Sequence, residues 1–201
     1  MDTNAAKKAG QSEKARSGAI GEQNVVSKLM QHGWDAFNAN CTIKNYKSID
    51  IVCLNSELPE SQDCLWKPKT VLVQVKTSVQ KNIPAGFTIR QSLDKAYLER
   101  NVKGPYVFVY VDEADEGDWK FRYFVISRCQ FIELLFSSNQ WYVHDYHREK
   151  EISLEGPAGL DIRWLMCDTK CDAMKETKNH KAFNNPLKES CEDCWDNIWK
   201  D

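Results

Sequence analysis

The sequence predicts an α/β domain with a mixed central sheet flanked by helices. Three observations predict it. The chain runs helix, three strands, helix, two strands, an order that builds a layered α/β core. Residues 70–77 form a valine-rich, β-branched run that reads as a buried strand. Ahead of the strands, residues 18–31 place apolar side chains at helical spacing. Composition permits such a core: 42% of the 201 residues are apolar and 28% are charged, enough for one domain with a small appendage.

Taken in order, residues 1–17 form a Lys- and Ala-rich lead-in expected to be flexible. The helix over 18–31 has Ser12 or Ser17 as a cap and Gly33 as its stop signal. Its face carries Ala19, Glu22, Val26 and Leu29, with Ile20 and Val25 at the edges. Glu22 thus falls in the inward stripe, where a carboxylate is costly unless it meets a cation or a donor. Residues 34–41 and 48–54 read as strands, separated by a turn at Lys44, Asn45, Tyr46 and Lys47. A polar loop over 55–68 leads to the third strand, 70–77. There Val71, Val73 and Val75 point one way, and Leu72, Gln74 and Lys76 the other.

Pro84 and Gly86 mark a loop, and a helix over 92–102 presents Leu93, Ala96, Tyr97 and Arg100 at helical spacing. Gly104-Pro105 ends it. Strands over 106–111 and 121–126 follow, joined by an acidic turn over 112–118 with Trp119 beside it. A short helix over 130–136 and a strand over 141–146 complete the expected domain, 18–150. The extension over 151–201 reads mostly as loops, ending in a helix over 189–200.

The longest apolar run, residues 106–111, is far short of the roughly 20 residues a membrane helix needs. No export signal is visible, so a soluble, cytoplasmic protein with no membrane partner is expected. The net charge is −2, unevenly spread. Residues 1–105 carry 15 Lys+Arg against 10 Asp+Glu, and residues 106–201 carry 12 against 19. Either the basic half faces phosphates or the unevenness is chance.

Four residues stand out chemically. Asp50 interrupts an apolar strand between Ile49 and Ile51, and Gln74 and Lys76 interrupt one face of the next strand. If those strands pair, a carboxylate, an amide oxygen and an ammonium converge. Hard oxygen donors suit Mg2+ or Mn2+. Asp50, Gln74 and the Val75 carbonyl are the expected ligands, with Glu22 reaching in through water or holding Lys76. Lys76 can orient or help deprotonate an attacking water. Each residue also has a plain structural reading: Glu22 as a solvated helix residue, Asp50 as an acceptor at a turn, Gln74 and Lys76 as the solvent face of an edge strand.

The runs Gly21-Glu22, Ser48-Ile49-Asp50 and Val73-Gln74-Val75-Lys76-Thr77 resemble the PD-(D/E)XK nuclease superfamily over about residues 18–126. The resemblance implies a restriction endonuclease-like core: a helix carrying a Glu, a strand ending near the Asp, and a strand bearing Glu-x-Lys. It implies a metal-dependent endonuclease acting on DNA, with a homodimer as a plausible assembly. Catalytic roles would fall to Glu22, Asp50, Gln74 and Lys76. Gln74 replaces the usual acid and removes one negative charge. A catalytically inactive module of the same fold, binding nucleic acid or a protein partner, is the alternative. Among hydroxyls and cations, Thr77, Ser78, Lys81 and Arg90, then Gln91, Lys95 and Arg100, are candidate phosphate contacts. A solvated helix face is the competing reading.

Cys167, Cys171, Cys191 and Cys194 are spaced as two short knuckles compatible with zinc, although the second pair also falls in the expected terminal helix. His144 and His147 flank Tyr146 without a third ligand and read as surface residues.

Overall fold

The computed structural model describes residues 3–41, 49–55, 69–113, 119–146, 157–178 and 180–200. The expected turn at 44–47, most of the loop over 55–68, the tip of the acidic hairpin and His147 lie outside them. Helix α1 spans Thr3–Gln31, starting well before the expected Gly18 and running through Ser12 and Ser17. Strands β1 (Asp35–Asn38), β2 (Ile51–Asn55), β3 (Lys69–Ser78), β4 (Asn82–Thr88), β5 (Tyr106–Glu113), β6 (Trp119–Ile126) and β7 (Pro157–Asp161) are joined by helices α2 (Lys95–Asn101), α3 (Arg128–His144) and α4 (Ile162–Leu165). The chain is α/β, as expected. Its main sheet has the order β1-β2-β3-β5-β6, and only the β3–β5 pair is parallel. The β3-to-β5 crossover contains β4 and α2, which a parallel connection requires.

Two apolar layers lie against the sheet. On one face, Val25 and Leu29 of α1 pack with Val71, Val73, Val75, Val107 and Val109. On the other, Leu98 of α2 and Phe131, Leu134 and Leu135 of α3 cover Tyr106, Phe108, Phe124 and Ile126. The buried stripe of α1 is Gly21, Val25 and Leu29, so Ala19, expected inside, is exposed and Glu22 lies half-buried at the margin. The reason is a close approach: a Cβ on Gly21 would stand 1.9 Å from Thr77 Oγ1. Only glycine lets the helix sit that near β3, and that contact fixes which side turns inward.

Several expected elements differ. Residues 141–146, expected as a strand, belong largely to α3. Ser127 and Gln130 form a reciprocal capping box that starts this helix, and Phe131, Leu134, Leu135, Ser138 and Trp141 keep its buried face at helical period. Pro84 and Gly86 lie in β4, which pairs antiparallel with β7 in a separate two-stranded sheet. The irregularity between Pro84 and Thr88 is where proline is tolerated in a ladder. The expected first strand shortens to β1 followed by a 3-10 turn, Ala39–Cys41. The terminal helix over 189–200 reduces to a 3-10 turn, Trp195–Trp199. Before that turn, Cys191, Glu192 and Asp193 lie along the outer edge of β6: Val125 N–H donates to Cys191 O at 2.9 Å and Asp193 N–H to Tyr123 O at 2.9 Å. The Arg122–Glu192 ion pair fastens this strip at 2.6 Å. Among the described residues, no helix is long and apolar enough to cross a membrane.

The two glycines of α1 give a prediction of opposite signs. Gly21→Ala is expected to destabilise by about 1–3 kcal/mol through overpacking against Thr77. A Cβ on Gly18 would meet nothing within 4 Å, so Gly18→Ala should stabilise by about 0.5–1 kcal/mol through helix propensity. Urea unfolding of both variants checks this; equal shifts of one sign would refute the packing account.

Candidate functional site

The β2–β3 register sets Ile51 opposite Val73, and the next step places Asp50 beside Gln74. Asp50 N–H still donates to Val73 O at 3.1 Å. Its side chain then turns to β3. Oδ2 accepts from Val75 N–H at 2.8 Å and from Gln74 Nε2. On the other side, Oδ1 accepts from Asn40 Nδ2 at 3.0 Å. Asp50 and Gln74 are both buried. Because Val75 N–H is aimed at Asp50, its carbonyl lies on the same, β2-facing edge of the strand.

Gln74, Lys76 and Asp50 line one cleft of about 330 Å3 with Tyr97 and Asn101 of α2, Tyr106, and the Gly86–Thr88 end of β4. Gly86 has φ +81°, and a Cβ there would stand 3.4 Å from Lys76 Cε and 3.9 Å from Nζ. Its bare backbone leaves room for the lysine stem. Among the described residues, no carboxylate pairs with Lys76, and Gln74 Oε1 is buried without a hydrogen-bond partner.

Glu22 arrives from the other side of the sheet. Asn38 Nδ2 donates to its Oε2 at 2.9 Å and Asn40 Nδ2 at 3.4 Å. Glu22 is therefore joined to Asp50 through Asn40, and these two amides take the place of the contact with Lys76 expected from the sequence. Sequence reasoning missed Asn38, Asn40, Tyr97, Asn101 and Tyr106 as site residues. Asparagines after a short strand carry no period or motif that marks them, and Gly86, expected in a loop, lies in β4 against the Lys76 stem.

The weaker candidates disperse. Thr77 turns toward Gly21, with its Oγ1 buried and unpartnered among the described residues. Ser78 Oγ accepts from Gln80 N–H at 2.9 Å. Lys81, Gln91 and Arg100 are exposed, and Lys95 is paired with Glu133 at 2.5 Å. Arg90 lies beside the cleft, its guanidinium 4.4 Å from the Tyr97 ring centroid. Buried Asn139 holds its backbone at both ends, accepting from Arg90 N–H at 2.9 Å and donating to Arg90 O at 2.8 Å. His144 is exposed in the last turn of α3.

Of the four cysteines, Cys171 and Cys191 are buried, Cys167 donates to Leu187 O and Cys194 to Ser190 O. Among the described residues, no group of three or more His, Cys, Asp or Glu side chains is gathered as a metal site. The oxygen set of the cleft is of another kind, an amide and a backbone carbonyl beside one carboxylate. It fits a hard cation on one observation, the orphaned Gln74 Oε1. A half-turn of the Gln74 amide would face Oε1 to Asp50 Oδ2, an arrangement of two acceptors that a cation between them makes favourable.

No protein-family model, curated protein or solved structure matches the chain.

Burial, and secondly the charge of Asp50, push the Tyr106 phenol above its ordinary value. The neutral phenol is thus favoured in the folded state. Its contribution to stability is fully present below the unfolded value near 10 and is lost as pH rises beyond it. Urea midpoints measured from about pH 9 to about pH 11 should fall more steeply for the wild type than for Tyr106→Phe; parallel slopes would remove the assignment.

Proposed function

We propose that the protein is a metal-dependent endonuclease that hydrolyses DNA phosphodiester bonds on a restriction endonuclease-like core. The observation that carries this reading is the cleft itself: Asp50, a Gln74 oxygen without a partner and a Lys76 without a carboxylate, among the described residues, meet at the junction of β2 and β3. The order of elements supports the reading: α1 carries Glu22, Asp50 precedes β2, and β3 carries Gln74-Val75-Lys76.

Asp50, Gln74 Oε1 and the Val75 carbonyl would hold Mg2+ or Mn2+, which supplies Lewis acidity toward a phosphoryl oxygen and the leaving oxygen. Lys76 Nζ orients the attacking water and eases loss of its proton to solvent. The water oxygen bonds to phosphorus, one P–O ester bond breaks, and the departing oxygen takes up a proton. Tyr106 stays neutral beside Asp50 and adds no charge against the phosphate. Arg90, fixed by Asn139 and stacked on Tyr97, offers a guanidinium to the neighbouring backbone phosphate. Cutting both strands of a duplex with one centre per chain would engage a homodimer.

A second reading is favoured by one observation. Both Asp50 oxygens and Glu22 Oε2 already accept N–H groups, as in a site retained for structure. On that reading the protein is a catalytically inactive module of the same fold that binds nucleic acid or a protein partner.

Incubation of supercoiled plasmid and branched DNA with Mg2+ or Mn2+ separates the two. The nuclease reading expects metal-dependent nicking, reduced at least about 100-fold in Lys76→Ala and lost in Asp50→Asn. Intact, folded wild type that binds DNA without cutting either substrate would decide for the inactive module.

A further inference from the structure

We propose that the side-chain amide of Asn40 stands where a second cation would otherwise sit, so that the cleft takes a single divalent ion, on the Asp50–Gln74 side. This deepens the nuclease reading and rests on it.

Glu22 and Asp50 come from different elements, yet both aim an oxygen at the same nitrogen: Asn40 Nδ2 lies 3.4 Å from Glu22 Oε2 and 3.0 Å from Asp50 Oδ1. Two carboxylates brought that close repel each other unless something positive lies between them. Here the group between them is a primary amide, whose two N–H bonds can serve one carboxylate each without adding net charge.

The amide is held there by its surroundings. Asn40 N–H donates to Asn38 Oδ1 at 2.8 Å. Asn38 Nδ2 donates to Glu22 Oε2 at 2.9 Å. Ala39 N–H donates to Asp50 O at 2.8 Å. The turn that carries Asn40 is thereby tied to both acidic residues through separate bonds. A freely rotating surface amide would not be braced in this way.

The other flank of Asp50 is built differently. Gln74 is 7% exposed, and its Oε1 has no partner among the described residues. Donors stand on both Asp50 oxygens, Asn40 Nδ2 at Oδ1 and Gln74 Nε2 with Val75 N–H at Oδ2, but of the two amides it is Gln74 whose oxygen is buried without a partner among the described residues. A turn of the Gln74 amide therefore exchanges a donor for an oxygen ligand on that flank, and the cation belongs there. Glu22 then acts as a positioning residue: it holds the Asn40 amide against Asp50 and does not ligate the ion.

The test counts ions instead of turnover. Full-length protein is titrated with Mn2+, and bound ion is read from loss of the free-ion electron paramagnetic resonance signal. Wild type is expected to bind one Mn2+ per chain, and Asp50→Asn none. Asn40→Asp, which adds a third carboxylate, should bind two. Asn40→Ala, which removes the donor and opens space, should also gain a second, weaker ion. Two ions in the wild type would overturn the role of Asn40 while leaving the metal cleft standing. One ion in the wild type and still one in both folded variants would overturn it equally. No ion in the wild type or either variant would remove the metal reading of the cleft, and this inference with it. Should Asn40→Asp fail to fold, the wild-type count and Asn40→Ala decide.

Discussion

Asp50 completes a ladder that the backbone of β2 leaves unfinished. The last backbone bond from this end of β2 runs from Asp50 N–H to Val73 O. The next donor on β3, Val75 N–H, would face a buried gap, and a buried unpaired N–H is costly. The Asp50 carboxylate fills that gap, while its own carbonyl accepts from Ala39 N–H. One residue thus ties the turn after β1 to β2 and β3. The positions of Gln74 and Asn40 follow from that knot. The carboxylate that lines the cleft is the same carboxylate that keeps the strands in register.

The helix side obeys a second constraint of the same kind. Gly21 lets α1 approach Thr77, and Gly104 lets the turn into β5 approach β3, where a Cβ would meet Leu72 O at 1.9 Å. Both contacts press on β3, one from the helix packed on the sheet and one from the turn into β5. β3 consequently has little room to shift. The most chemically unusual side chains sit on it.

What was legible in the sequence was what has a period. Alternation in 70–77 separated Val71, Val73 and Val75 from Gln74 and Lys76, and the sheet keeps that separation. Asp50 was visible because an acid between two isoleucines needs a reason. What was not legible depended on tertiary partners. β4 hid behind Pro84 and Gly86, both harmless in the exposed positions of a strand whose buried members are Ile83 and Ala85. Residues 141–146 have aromatic and β-branched character that favours a strand alone. They are largely helical because the capping box at Ser127 and Gln130 starts a helix whose Trp141 reaches the core and donates to Lys181 O. Asn40 gave no sign at all, since its importance exists only once Glu22 and Asp50 are brought to either side of it.

The strip over Cys191–Asp193 has a bearing on the protein's biosynthesis. β6 ends at Ile126, so more than sixty residues must be made before its outer edge acquires the backbone that covers it. During elongation the sheet stands with an unsatisfied flank of Tyr123, Phe124 and Val125, the type of edge that invites pairing with another chain. Asn197, whose side chain donates to Val125 O at 2.7 Å, closes the same edge a few residues later. Until residues 191–197 arrive, that flank is open to pairing in a way the finished fold is not.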